Sequence, residues 1–155
     1  MKIVISPDSF KWKVAEALAI GWRKVLPGSQ LVCLPVADGG EGTLETLIHA
    51  TDGTFYTKKV TGPLGESIHA QYGILGNQTT AVIELAQASG LELVSPVLRS
   101  PLYTTSFGTG ELILAALEHN IDTVILCLGG SATNDGGIGL MSALGASFTD
   151  AEGLS

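Results

Sequence analysis

At 155 residues the chain suffices for one ordinary domain or for part of a larger protein, and a composition that is 45% hydrophobic and 15% charged, with 20 glycines, is that of a globular, loop-rich fold. A net charge of −7 argues against non-specific nucleic-acid or anionic-membrane binding, both of which rest mainly on clustered Lys and Arg, so an anionic substrate needs locally placed cations or a metal. No run approaches the roughly 18 consecutive apolar residues of a membrane span, the amino terminus lacks a signal-peptide pattern, and Cys33 and Cys127 lie in apolar runs without CxxC spacing, which predicts two buried, reduced thiols in a cytoplasmic protein.

Lys2 to Ser6 reads as a short strand, and Pro7-Asp8-Ser9 as a turn carrying helix-capping residue types. From Lys13 to Val25 the residues Val14, Ala17, Leu18, Gly21, Trp22 and Val25 recur at helical spacing until Pro27-Gly28 ends the pattern. A strand over 31–37 and a helix over 41–50 follow, the latter with Leu44, Leu47 and Ile48 as its apolar stripe. Alternation of this kind favours a parallel sheet. Strands are then predicted over 55–60, 67–75 and 79–85, joined by Gly62-Pro-Leu-Gly65 and Gly76-Asn77, which are hairpin chemistries; this is an antiparallel segment distinct from the opening unit. A helix over 109–119, a strand over 123–128 and a helix over 138–144 complete the pattern. His49, His69 and His119 are isolated and are expected at the surface, since no paired spacing supports zinc.

Twice an apolar strand runs into Asp-Gly-Gly and then a helix, once at Asp38-Gly39-Gly40 and once in Gly129-Gly-Ser-Ala-Thr-Asn-Asp-Gly-Gly137. A carboxylate among glycines at a strand's carboxyl end lies where open α/β sheets bind ligands, with backbone N–H groups available to a phosphate. Asp38 can therefore bind Mg²⁺ or accept a hydroxyl proton, or else serve as a turn or N-cap residue. Glu41 reads as a dipole-favoured surface carboxylate in the first helical turn, or as support for a water on the metal. In the second loop Ser131, Thr133 and Asn134 can hydrogen-bond a phosphate or substrate hydroxyls, and Asp135 can act as base or metal ligand, with Asx-turn chemistry as the alternative. Thr109 reads as a helix cap with a possible anion contact, and Lys11, just past the first strand, as a point charge for phosphate or carboxylate or as a solvated lysine. No Gly-x4-Gly-Lys-Ser/Thr P-loop occurs.

Six ordered blocks carry a closer resemblance: Lys2-Ile-Val-Ile-Ser-Pro-Asp-Ser-Phe-Lys11, Asp38-Gly-Gly-Glu-Gly-Thr43, Val60-Thr-Gly-Pro-Leu-Gly65, Ala81-Val-Ile-Glu-Leu-Ala86 with Ala88-Ser-Gly-Leu91, Gly108-Thr-Gly-Glu-Leu-Ile113, and the 129–137 loop. Together they resemble the bacterial glycerate kinases. The resemblance implies ATP- and Mg²⁺-dependent phosphorylation of D-glycerate, with 2-phosphoglycerate as the expected product. It implies an α/β fold in which a flavodoxin-like (Rossmann-like) parallel-sheet domain is interrupted by a second mixed α/β domain, with residues 1–53 opening the first and 54–155 starting the second. Lys11, Asp38 and Asp135 are the implied catalytic residues, Asp38 and Asp135 also the Mg²⁺ ligands. Ser9, Gly39, Gly40, Thr109, Gly129, Gly130, Ser131, Thr133, Asn134, Gly136 and Gly137 are the implied substrate or phosphate contacts.

Family members are much longer, so the resemblance covers an amino-terminal part, and the later glycine-rich blocks that resemble nucleotide-site elements are absent. The stretch between Ser-Phe-Lys and the first helix is also shorter than the family's. Little or no kinase activity is therefore expected of this chain alone. The alternatives are a non-catalytic glycerate-binding or regulatory module and a decayed gene remnant. No nucleic-acid or membrane partner is expected.

Overall fold

The computed structural model describes residues 1–7, 11–34 and 36–153, the side chains of 11–13 excepted. Strand β1 (Lys2–Ile5) pairs in parallel with β2 (Gln30–Cys33), Ile3 opposite Leu31 and Ile5 opposite Cys33. Helix α1 (Lys11–Val25) makes the crossover that a parallel pair requires. It settles on the sheet through Ala15 and Ala19, one turn apart, against Ile3, Ile5, Leu31 and Cys33. The stripe predicted to be buried is not the one in contact: Val14, Leu18, Trp22 and Val25 are exposed. Two strands offer a narrow floor, and the small alanines allow the helix closest approach to it.

The second sheet has the order β3-β4-β5-β6, formed by Thr54–Thr61, Ser67–Ile74, Thr80–Glu84 and Thr123–Cys127. β3 and β4 form an antiparallel hairpin from Thr54↔Ile74 to Thr61↔Ser67, turned by 62–65 with Gly65 at φ +88°. β5 is antiparallel to β4 and parallel to β6, so the sheet is mixed. Every residue of β5 is buried, and the strand's two-residue alternation divides it between two layers. Ala81 and Ile83 face α3 (Ala86–Ser89) and α4 (Phe107–Leu117) in a core with Val60, Ala70, Tyr72, Ala88, Leu112, Ala115 and Ala116.

Val82 faces the other side, where α2 (Thr43–Ala50) supplies Leu44 and Ile48, with Cys127 beside them. A side chain at Gly73 would collide with Ile48, so glycine there lets α2 lie against the sheet. α5 (Ile138–Ala143) follows the second glycine loop and packs on α4. The molecule is thus mixed α/β, with a small parallel sheet and a mixed four-stranded one. Among the described residues no helix is long and apolar enough to cross a membrane.

Two smaller expectations are corrected. His119 is not an isolated surface residue: its ring lies 4.5 Å from that of Tyr56 and its Nε2 is 3.1 Å from the Tyr72 hydroxyl. Cys127 is buried, whereas Cys33 is only half-buried, its thiol 3.5 Å from the Ala15 carbonyl; both are free.

Candidate active site

Both Asp-Gly-Gly loops leave the carboxyl ends of parallel strands, and the fold brings them together. The Gly129 N–H donates to the Gly39 carbonyl at 2.7 Å. Any side chain on Gly129 would overlap the backbone of Gly40, and one on Gly130 would overlap the Glu41 carboxylate. Gly39, Gly130, Gly136 and Gly137 also have positive φ, a conformation that L side chains rarely adopt. The glycines thus serve two needs, tight turning and backbone approach between loops that are far apart in sequence.

In the first loop Asp38 is exposed and its Oδ1 accepts the Gly40 N–H at 2.8 Å, an Asx turn. Its Oδ2 has no partner among the described residues. Asp38 is therefore the turn residue of the two bland alternatives and not the cap of α2, whose N-cap position is Gly42 at φ +91°. The helix starts at Thr43, so Glu41 precedes its first turn; the carboxylate lies across Gly130 and shares a small hollow with Asp38. Thr43 Oγ1 accepts the Gly39 N–H at 3.0 Å.

The amino end of α2 is satisfied by a residue the motif reading missed. Glu84, at the carboxyl end of β5 and 1% exposed, accepts the N–H groups of Gly42 and Leu44 through Oε2 at 3.1 and 3.0 Å. The positive end of the helix dipole favours a carboxylate there. A lone Glu directly after the apolar run Ala81-Val-Ile83 was the available signal, because buried carboxylates occur only with partners. Burial raises the Cys127 thiol pKa, with the neighbouring Glu84 charge adding to it, so this thiol stays protonated at neutral pH.

In the second loop Asp135 is a hub. Its Oδ2 accepts the Ser106 N–H at 2.9 Å, the Ser106 hydroxyl at 2.7 Å and the Gly139 N–H at 3.2 Å, while Oδ1 accepts the Gly137 N–H at 3.0 Å. Burial pushes the carboxyl pKa up, but these four bonds outweigh it and hold the group below its ordinary value, hence ionised. Ser106 also accepts the Leu140 N–H and occupies the N-cap position of α4. Thr109, expected as that cap, instead lies inside the first turn, fully buried, its hydroxyl 2.9 Å from that of Ser89.

The segment 130–132 is pinned to 89–91 by Leu91 N–H to Gly130 O and Ala132 N–H to Ser89 O. Ser131 and Thr133 pair their hydroxyls at 2.9 Å, and Asn134 is exposed. The Gly39, Gly40, Gly129 and Gly137 amides are committed internally, whereas those of Gly130, Ser131 and Gly136 have no partner among the described residues. Lys11 begins α1, but its side chain lies outside the described residues, as does the whole of Ser9.

Two cavities flank the paired loops. One, of about 580 Å³, is lined by the carboxylates of Glu41, Glu45, Glu84 and Glu92 and by His49 and His69. The other, of about 250 Å³, lies between Arg99 and the 131–133 segment. No group of three or more His, Cys, Asp or Glu side chains able to hold a metal occurs among the described residues. That donor set excludes an all-protein cage but fits Mg²⁺, which commonly takes one or two carboxylates, waters and substrate phosphate oxygens. Asp38, with one oxygen uncommitted, suits that role better than Asp135, both of whose oxygens already accept hydrogen bonds.

The sequence profile described as the glycerate kinase family matches residues 3–155. The chain belongs to the glycerate kinase family. It is 56% identical over 158 aligned positions to a glycerate 2-kinase of Escherichia coli K12, covering 99% of this chain and 42% of that relative. It is 52% identical to a glycerate kinase of Bacillus subtilis 168, covering 99% of this chain and 41% of that one. A crystal structure from Salmonella typhimurium LT2, described as a candidate glycerate kinase 2, superposes with a TM-score of 0.83 at 51% identity, over 99% of this chain and 42% of that one. The chain thus spans about two fifths of the family relatives it matches. The 158 aligned positions exceed the 155 residues here, so at least three positions of the E. coli relative have no counterpart in this chain.

Proposed function

We propose that this chain supplies part of the active site of an ATP-dependent kinase that phosphorylates D-glycerate to 2-phosphoglycerate, and that it has little or no activity by itself. The observation that carries the reading is the backbone contact between the two Asp-Gly-Gly loops, which gathers Asp38, Glu41 and the Gly129-Gly130 start of the second loop at one place. Phosphoryl transfer asks a protein for positioning and charge neutralisation more than for covalent chemistry. Asp38 is the residue to accept the proton of the attacking hydroxyl or to hold Mg²⁺ through its uncommitted oxygen. When bound, Mg²⁺ with ATP supplies the phosphoryl group and neutralises its charge.

The Gly130, Ser131 and Gly136 amides are the donors available to an anion, while Gly39 and Gly40 shape the first loop. Asp135 acts by fixing the second loop to α4 and α5. Lys11, just past the first strand, remains a proposed cation for a phosphate or carboxylate. The flavodoxin-like domain interrupted by a second domain, the division at residues 53/54 and a cytoplasmic setting belong to the same proposal. The test is a coupled ADP-release assay with D-glycerate, run on this chain and on the E. coli glycerate 2-kinase whose matching amino-terminal part is replaced by it. Turnover by the chimera and none by the isolated chain is expected; a folded chimera inert towards D-glycerate counts against the reading.

A further inference from the structure

A protein of net charge −7 that handles an anionic acid needs a cation where the acid sits. The larger cavity is a poor place for it, since Glu41, Glu45, Glu84 and Glu92 line it. The smaller one is different. Its charged residue is Arg99, and its other polar walls are the hydroxyl-bearing Ser100, Thr104, Ser131 and Thr133. Arg99 Nε donates to the Val94 carbonyl at 3.1 Å, which aims the guanidinium, and no carboxylate pairs with it among the described residues. The wall opposite is fixed: Thr104 donates to the Ala132 carbonyl at 2.7 Å, and 130–132 is tied to 89–91.

We propose that this cavity is the carboxylate subsite for a small hydroxy acid, with Arg99 gripping the carboxylate and the Ser131–Thr133 edge meeting the substrate's hydroxyls. This rests on the glycerate reading above and names the residues that select the substrate. A guanidinium presents two parallel N–H groups that match the planar pair of carboxylate oxygens. The volume, about 250 Å³, lies below the 300–1,000 Å³ of sites for drug-sized ligands, which suits a molecule of a few heavy atoms better than a nucleotide. Residues 131–133 of the second Asp-Gly-Gly loop form one of its walls, so an acid held there lies against that loop, beside Ser131. An inorganic phosphate offers the same negative oxygens, and the experiment separates the two.

The full 155-residue chain, ¹⁵N-labelled, is titrated with D-glycerate, with propionate and with inorganic phosphate, as wild type, Arg99→Ala and Arg99→Lys. D-glycerate is expected to shift the Ser131, Ala132, Thr133 and Thr104 amides and the Arg99 Nε–H. Arg99→Ala weakens that binding about tenfold or more, and Arg99→Lys less, because a point charge replaces a fork. Propionate, lacking hydroxyls, binds the same residues more weakly. Arg99 is exposed, so unchanged amide positions away from the cavity verify that the variants fold.

Shifts confined to 38–42 and indifferent to Arg99→Ala overturn the subsite and leave the kinase proposal standing. Phosphate binding at Arg99 without D-glycerate binding there overturns the carboxylate assignment. No shift with any of the three overturns the subsite, while the kinase proposal is decided independently by turnover of the chimera.

Discussion

Replacing Asp135 by Asn removes one negative charge and turns one acceptor oxygen into a donor. In whichever orientation the amide settles, its NH₂ faces at least one N–H that formerly pointed at an oxygen, so at least one of the four hydrogen bonds is lost. The survivors become neutral, and hydrogen bonds to charged groups contribute about 1.5–3 kcal/mol against about 1 for neutral ones. Allowing α5 and the half-buried loop to relax, the expected loss is about 2–3 kcal/mol. For a domain of this size that is a fall in Tm of about 6–9 °C. The sign with pH follows from the carboxyl's lowered folded-state pKa. Its stabilisation is fully present above the unfolded value of about 3.9 and is lost as pH falls through the folded one. The gap between wild type and Asp135→Asn should therefore be constant from neutral pH to about 5 and narrow below about 4. Thermal unfolding followed by circular dichroism across that range measures it. A double-mutant cycle with Ser106→Ala should return a coupling of about 1 kcal/mol or more. Equal Tm values for wild type and Asp135→Asn at pH 7 would refute Asp135 as the hub of this loop.

Gly129→Ala drives a methyl group into the Gly40 backbone, so the two loops must separate; a cost of about 1–3 kcal/mol is expected, read by chemical denaturation, together with faster exchange of the residue 129 amide. Glu84→Gln keeps one acceptor but loses the charge at the amino end of α2, and should cost about 1–2 kcal/mol. Hydrogen exchange at Gly42 and Leu44 should quicken while that in β3 and β4 stays unchanged, and protection unaltered at both amides would contradict the assignment. Asp38→Asn retains the Oδ1 acceptor for the Gly40 amide, so stability should move by no more than about 0.5 kcal/mol, yet turnover of the chimera should fall by about 10²-fold or more if Asp38 takes the hydroxyl proton.

Much of the fold is legible because its elements obey simple periods. The strand–helix alternation to residue 53, the hairpin at 62–65 and the late helix–strand–helix run follow from spacing and turn chemistry, with boundaries moved by a residue or two except at β2, which ends at Cys33 and not at 37. The α1 stripe misled because periodicity weighs apolar bulk, whereas contact on a two-stranded floor went to Ala15 and Ala19. The loops were legible as glycine-rich carboxylate turns; their meeting was not, because nothing local in 38–40 encodes Gly129. Asp135 was visible as chemistry, but its four donors come from α4, the loop and α5, and only the assembled fold supplies them. Glu84 lies inside one of the ordered blocks but drew no role because it is concealed at the end of an apolar run, and Arg99 stood outside the blocks in a Pro-flanked loop without periodicity.

The central claim is that the paired loops of this chain build the glycerate side of a phosphoryl-transfer site. Its most direct test is ADP release by the E. coli glycerate 2-kinase chimera that carries this chain as its amino-terminal part, with D-glycerate as acceptor and with Asp38→Asn beside it. The account predicts D-glycerate-dependent turnover that Asp38→Asn suppresses at unchanged thermal stability. A stable, folded chimera without D-glycerate-dependent ADP release, or one whose turnover ignores Asp38→Asn, would contradict it.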